Sequence, residues 1–115
     1  MTSKSSLKSP AASLADQPLG AHMSVAGGIE NAFDAGERAG CECLQIFVKN
    51  QRQWAAPPLT DEMVDAYREA QEQTGLTPVV AHATYLLNLA SPEPSIRNKS
   101  IDALVAELQR CARLG

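Results

Sequence analysis

The chain has 115 residues, of which 44% are hydrophobic and 4% aromatic, so it can form one small domain with a hydrophobic core. Its formal net charge of −3 argues against a general nucleic-acid-binding protein, and any anion-binding surface must therefore be local. No segment is apolar and long enough to span a membrane, and the odd cysteine count, with Cys41 and Cys43 badly spaced for a mutual disulfide, favours a reduced, cytoplasmic setting over secretion.

The first 18 residues differ in composition from the rest of the chain. They contain five serines, two lysines and a single acidic residue, Asp16. They lack the apolar centre of a signal peptide, and they lack the arginines typical of an organellar transit peptide. We predict that residues 1–18 form a disordered N-terminal extension.

Two βα units are predicted in the first part of the remaining chain. The apolar segment Leu19–Met23 predicts a first strand, followed by a glycine-containing turn at residues 24–28. A helix is predicted over residues 29–39, ending before Gly40. Its inward face consists of Ile29, Ala32, Phe33 and Gly36. The run from Cys43 to Val48 predicts a buried second strand.

A second helix is predicted from Thr60, a favourable N-cap residue, to about Thr74, with Gly75 as its stop. Its predicted inward residues are Met63, Tyr67 and Ala70. Leu76–Ala81 is a third strand candidate. The final helix is indicated by apolar residues at helical spacing, namely Ile101, Leu104, Val105, Leu108, Cys111 and Ala112.

Three successive βα units predict an α/β fold with a parallel sheet. A TIM (β/α)8 barrel uses roughly 31 residues per unit, and residues 19–115 are close to three such units. Three parallel strands leave two bare edges, so we predict a partial TIM-barrel domain over residues 19–115 that belongs to something larger. A compact three-layer miniature is the alternative.

The most informative motif is Lys49–Trp54, directly after the second predicted strand. It places two cations, three amides and an indole in consecutive positions. Such a loop can donate to phosphate oxygens and insert an aromatic or guanidinium plane between bases. The alternative is an ordinary surface loop with a half-buried tryptophan.

The segment after the third strand contains His82, Tyr85 and Leu86. An isolated histidine near apolar residues can be a hydrogen-bonded core residue, but an imidazole at a strand end can also be a zinc ligand. Tyr85 and Leu86 can pack beneath the next helix, or they can push into a nucleic-acid stack.

Together these motifs closely resemble the N-terminal portion of endonuclease IV, the zinc-dependent apurinic/apyrimidinic endonuclease family of DNA base-excision repair. The resemblance runs from Leu19 to Gly115. It is carried by Gly20-Ala21-His22 with Ser24 and Gly27-Gly28, by Lys49–Trp54, by His82 with Tyr85-Leu86 and Asn88-Leu89, and by Gln109-Arg110-Cys111 with Leu114-Gly115. It implies a monomeric TIM barrel with three zinc ions that hydrolyses the phosphodiester 5′ to abasic sites in double-stranded DNA.

The resemblance also implies roles for individual residues. His82 matches a zinc ligand, Arg52 matches the residue inserted into the DNA stack, and Tyr85 and Leu86 match the wedge that bends the duplex. His22 is expected at the rim of the site without being a ligand. Three further residues of the DNA-facing loop are implied in DNA binding, namely Lys49, Asn50 and Gln51.

The family's other zinc ligands come from strands beyond the third. One imidazole cannot hold a catalytic zinc, which needs about three protein ligands. We therefore expect this chain alone to be inactive, as a fragment or the product of a truncated reading frame. Two alternatives stay open: a fragment of a TIM-barrel sugar isomerase or epimerase, and a non-catalytic DNA-binding remnant.

Overall fold

The computed structural model describes residues 17–115, so residues 1–16 of the predicted N-terminal extension lie outside the described part. Strands and helices alternate along this part of the chain. In order they are β1 (Gly20–His22), α1 (Asn31–Arg38), β2 (Cys43–Phe47), α2 (Asp61–Thr74), β3 (Val79–His82) and α3 (Pro94–Leu114). The predicted three βα units are all present. No helix in residues 17–115 is long and apolar enough to cross a membrane.

The three strands form one parallel sheet in the order β1-β2-β3. The register pairs His22 with Gln45 and Phe47 with His82. Because parallel strands end at the same edge, the register brings the ends of β1, β2 and β3 together there. His82 is the last residue of β3, and the other residues predicted to have a function lie in the loops that leave this edge.

The hydrophobic core lies between one face of the sheet and the helices. In β2, Leu44 and Ile46 are buried on that face, whereas Gln45 and Phe47 point to the opposite face and are half-buried. Gly36 lets α1 approach β2 closely, because a Cβ added at Gly36 would lie 2.4 Å from Leu44 Cδ2. The side chains of β2 therefore alternate between the hydrophobic core and the opposite face of the sheet.

Helix α2 begins and ends where the sequence predicts. The Thr60 hydroxyl accepts a hydrogen bond from the Met63 amide at 3.1 Å, and Gly75 ends the helix with a φ of 71°. Tyr67 is buried, as predicted, but the prediction of Met63 as an inward residue is wrong. Val64 takes that place, since it lies one position further round the helix toward the core.

Helix α3 forms as predicted, but most of its apolar stripe does not face the described part of the molecule. Ile101, Val105 and Leu108 are exposed by 48%, 48% and 59%. The buried residues of α3 are Ser100, Ala103, Glu107 and Leu114. Two of these four are polar, because this face binds the backbone of the loops at the strand ends.

Candidate nucleic-acid interface

Four rings meet at the carboxyl edge of the sheet and form an aromatic cluster, defined as His22, Phe47, His82 and Tyr85. The ring centroids of Phe47 lie 4.7 Å from His22, 5.0 Å from His82 and 5.5 Å from Tyr85. His82 lies 5.7 Å from Tyr85 and 6.0 Å from His22. All five of these contacts are edge-on or tilted, which is a favourable arrangement for such rings. The strand register therefore joins residues from all three βα units.

Each histidine of the aromatic cluster makes one hydrogen bond that defines its neutral tautomer. His82 Nδ1 lies 2.5 Å from the Ala83 carbonyl oxygen, which can only accept, so Nδ1 carries the proton. Nε2 of a neutral His82 is then unprotonated and able to bind a metal. The Gln45 side-chain nitrogen lies 3.0 Å from His22 Nδ1 and donates to it, which leaves the proton on His22 Nε2.

These residues do not make a catalytic zinc centre on their own. Within residues 17–115, no group of three or more histidine, cysteine, aspartate and glutamate side chains could hold a metal ion. His82 offers one nitrogen donor, whereas a catalytic zinc takes about three protein ligands. The residues present therefore fit a single ligand of such a centre and not the centre itself.

The loop after β2 is a compact turn that leaves Arg52 exposed. The Asn50 side-chain oxygen accepts from the Arg52 amide at 2.8 Å, and the Asn50 carbonyl accepts from the Gln53 amide at 3.3 Å. Lys49 is only 7% exposed, and its ammonium group donates to the Gln53 carbonyl oxygen. Lys49 and Asn50 thus have contacts inside the loop, whereas the Arg52 side chain lies on the surface.

Two arginines of α3 attach this loop to the body of the molecule. Arg110 donates from Nε to the Val48 carbonyl at 2.7 Å and from Nη1 to the Pro57 carbonyl at 2.8 Å. Arg113 donates to the Leu59 carbonyl and forms an ion pair with Asp61 at 2.7 Å. Burial lowers the pKa of Arg110 from its ordinary value, but an arginine remains protonated.

The segment after β3 is attached to the same helix. The buried Glu107 carboxylate accepts from the Thr84 amide at 3.3 Å, and the Ser100 hydroxyl accepts from the Asn88 amide at 2.8 Å. Between these two attachments lie Tyr85, which is 72% exposed, and Leu86, which is half-buried. This arrangement leaves the Tyr85 ring accessible to solvent within the aromatic cluster.

A cleft of about 780 Å³ lies between the loop after β1 and the loop after β2. Among the described residues, its lining contains the cations Lys49, Arg52 and Arg110 and no acidic residue. Asn50, Gln51, His22 and Phe47 also line it. An acid-free lining with three cations suits an anionic ligand, although the whole chain is negatively charged.

The structure thus places the predicted site residues in two adjoining groups. Lys49, Asn50, Gln51 and Arg52 line the cleft, whereas His82 and Tyr85 lie in the aromatic cluster. His22 and Phe47 belong to both groups. Sequence reasoning gave no role to Phe47, Arg110 or Glu107. The available signals were weak: Phe47 is the last residue of β2, and Glu107 and Arg110 are two of the six charged residues of α3.

Three parallel βα units with their polar loops at the carboxyl edge define a segment of a parallel α/β barrel. Residues 33–115 match the model of the xylose isomerase-like TIM-barrel family, and the chain belongs to that family. The predicted fold, three units of a TIM barrel, is confirmed.

Within this family the chain is a homologue of endonuclease IV, which confirms the resemblance stated from its motifs. It is 50% identical over 96 residues to a probable endonuclease 4 of Chloroflexus aurantiacus, covering 84% of this chain and 34% of the relative. It is 45% identical over 97 residues to a probable endonuclease 4 of Halorhodospira halophila, covering 84% and 33%. The crystal structure of endonuclease IV from Thermus thermophilus matches with a TM-score of 0.75 and 35% identity, over 82% of this chain and 35% of that one. The chain therefore spans about a third of the length of the relatives it matches.

Proposed function

We propose that this chain forms the DNA-recognition part of an apurinic/apyrimidinic endonuclease of the endonuclease IV type. Such an enzyme hydrolyses the phosphodiester 5′ to an abasic site in double-stranded DNA with a zinc cluster. The observation that carries the proposal is the acid-free cleft with exposed Arg52, next to the aromatic cluster at the same edge of the sheet. The homology to endonuclease IV supports it and favours a repair nuclease over a sugar isomerase or epimerase.

In this proposal Arg52 enters the base stack at the abasic site. Tyr85 and Leu86, in the segment after β3, wedge the duplex open. The exposed position of Arg52 and the 72% exposure of Tyr85 support these roles. Turning out a nucleotide costs least where no base is stacked or paired, which gives the selectivity for an abasic site. Asn50 and Gln51 face the DNA backbone along the cleft, and the buried Lys49 adds positive charge to the cleft while it holds the loop through the Gln53 carbonyl.

The proposal is tested by fluorescence anisotropy with two labelled duplexes that differ only in one abasic-site analogue. We expect the 115-residue chain to bind the abasic duplex more tightly than the intact one. Equal weak binding to both would contradict abasic recognition and leave only phosphate attraction, as in a non-catalytic DNA-binding remnant. A folded chain that binds neither duplex would contradict both proposals for DNA binding.

The zinc content of this chain is a separate prediction. In the proposed enzyme His82 supplies one ligand, through its unprotonated Nε2, and the other ligands come from outside residues 17–115. We expect the isolated chain to retain clearly less than one zinc ion per molecule after dialysis, and to cleave no abasic DNA, because it lacks about two further protein ligands. Inductively coupled plasma mass spectrometry measures the metal, with a His82→Ala variant as the control. Stoichiometric zinc that is lost in that variant would contradict the prediction.

A further inference from the structure

One face of α3 binds both of the loops that the proposed function assigns to DNA. Arg110 holds the loop after β2, and Glu107 holds the segment after β3. The two residues are three positions apart, so they are neighbours on the helix surface, about 4.5 Å apart along its axis. A continuous helix is rigid over that distance, so the two attachment points keep a fixed separation.

Arg110 is suited to hold both ends of its loop. Val48 directly precedes the Lys49–Trp54 motif, and Pro57 lies three residues beyond it. The planar guanidinium donates to both carbonyls at 2.7 and 2.8 Å. A lysine at the same place keeps the charge but cannot reproduce the two-pronged geometry.

Glu107 holds the second loop directly beside its exposed residue. Its carboxylate is only 4% exposed and accepts from the amide of Thr84, the residue before Tyr85. The Ser100 hydroxyl binds the same segment further on, at the Asn88 amide. Tyr85 and Leu86 therefore lie between two attachments to one helix.

We propose that Arg110 and Glu107 are positioning residues that keep the Arg52 loop and the Tyr85-Leu86 segment in register with each other. The inference rests on the proposed function, since the register matters only if both loops engage the same DNA. Insertion from one loop and wedging from the other require a fixed separation, because small misplacements of contact groups strongly weaken recognition.

The first experiment uses Trp54 as a reporter that needs no DNA. Trp54 is the only tryptophan of the chain and lies in the loop that Arg110 holds. In Arg110→Lys we expect acrylamide quenching of Trp54 fluorescence to rise, while the far-UV circular dichroism at the same temperature stays that of a folded chain. The matched control is Arg38→Lys on α1, since Arg38 pairs with Asp34 on the surface, away from both loops.

The second experiment measures the ratio of affinities for abasic and intact duplexes. We expect Arg110→Lys to lower this ratio at least severalfold without changing the salt dependence of binding, since the charge is kept. Glu107→Gln retains an acceptor for the Thr84 amide and should keep the ratio, whereas Glu107→Ala should lower it. Arg38→Lys should leave both the ratio and the quenching unchanged.

The outcomes separate this inference from the proposed function. If the unmodified chain prefers abasic DNA and Arg110→Lys leaves the ratio of the two affinities unchanged, the inference is overturned. The proposed function then still stands. If the unmodified chain shows no abasic preference but Arg110→Lys exposes Trp54, the proposed function fails while the attachment of the loop by Arg110 is supported. If Glu107→Gln and Glu107→Ala lower the ratio of the two affinities equally, the role given to the Thr84 contact is overturned.

Discussion

Replacing Arg52 with alanine is expected to remove the preference of this chain for abasic over intact duplex DNA. The Asn50 turn presents the Arg52 side chain at the surface, next to a cleft without acidic lining. Stacking of a side chain on a base contributes on the order of 1–3 kcal/mol, so the affinity for the abasic duplex should fall by roughly 5- to 160-fold. The affinity for the intact duplex should change much less, because there is no gap for the side chain to enter. Anisotropy titrations of both duplexes measure the two effects.

The control for this prediction is Arg38→Ala, which removes the same charge from an exposed side chain on α1. It should weaken binding to both duplexes slightly and equally, through the loss of general phosphate attraction. An Arg52→Ala variant that behaves like Arg38→Ala would show that Arg52 contributes charge only. That outcome would remove the insertion role while leaving a DNA-binding surface.

Local chemistry in the sequence predicts both ends of α2 well, whereas β3 begins at Val79, three residues after the predicted Leu76, and includes His82. Thr60 as an N-cap and Gly75 as a stop define α2, since each satisfies a backbone requirement that depends on adjacent residues only. The apolar run predicted as a strand over Cys43–Val48 also identifies β2, which the structure has at Cys43–Phe47 with alternating burial. Three such units in succession are enough to predict the parallel sheet, because the connection between parallel strands allows few other folds.

The buried face of α3 could not be predicted in this way. The spacing of its apolar residues defines an apolar stripe on the helix. It does not show which side of the helix the described part of the chain covers. Ser100 and Glu107 are buried because amides of the loop after β3 donate to them, and these contacts come from elsewhere in the sequence. Polar burial of this kind depends on tertiary partners that hydrophobic periodicity does not record.

The candidate site shows the same division. His82, Arg52 and Tyr85 follow predicted strands, so their placement at one edge of the sheet could be predicted from topology alone. The contacts of Phe47 with both histidines depend on the strand register, which the sequence does not specify by itself. Arg110 is 62 residues from Val48 along the chain, and no local signal links the two. The residues that hold the loops were therefore missed, whereas Arg52 and Tyr85, which the sequence singles out, are exposed on the loop surfaces.

The largest effect on stability is expected from Phe33→Ala. Phe33 is completely buried in α1, and its ring lies 5.0 Å from that of Tyr67 on α2. Removing a buried phenylalanine side chain costs about 3–5 kcal/mol, a large part of the roughly 5–15 kcal/mol by which a domain is stable. We expect a strongly lowered free energy of unfolding, measured by urea denaturation followed by far-UV circular dichroism.

Phe47→Ala is the matched control, because Phe33 and Phe47 are the two phenylalanines of the chain. Phe33 packs in the core on one side of the sheet, whereas Phe47 lies on the other side. Phe47 is half-buried in the aromatic cluster, so its loss should cost clearly less stability but should reduce the abasic preference. Phe33→Ala should keep that preference at temperatures where the variant is still folded. If both substitutions lowered stability equally and affected the abasic preference equally, the two faces of the sheet would not have separate roles in stability and DNA recognition. The predicted difference instead follows from the alternation in β2, which turns Leu44 and Ile46 toward the core and Phe47 toward the site.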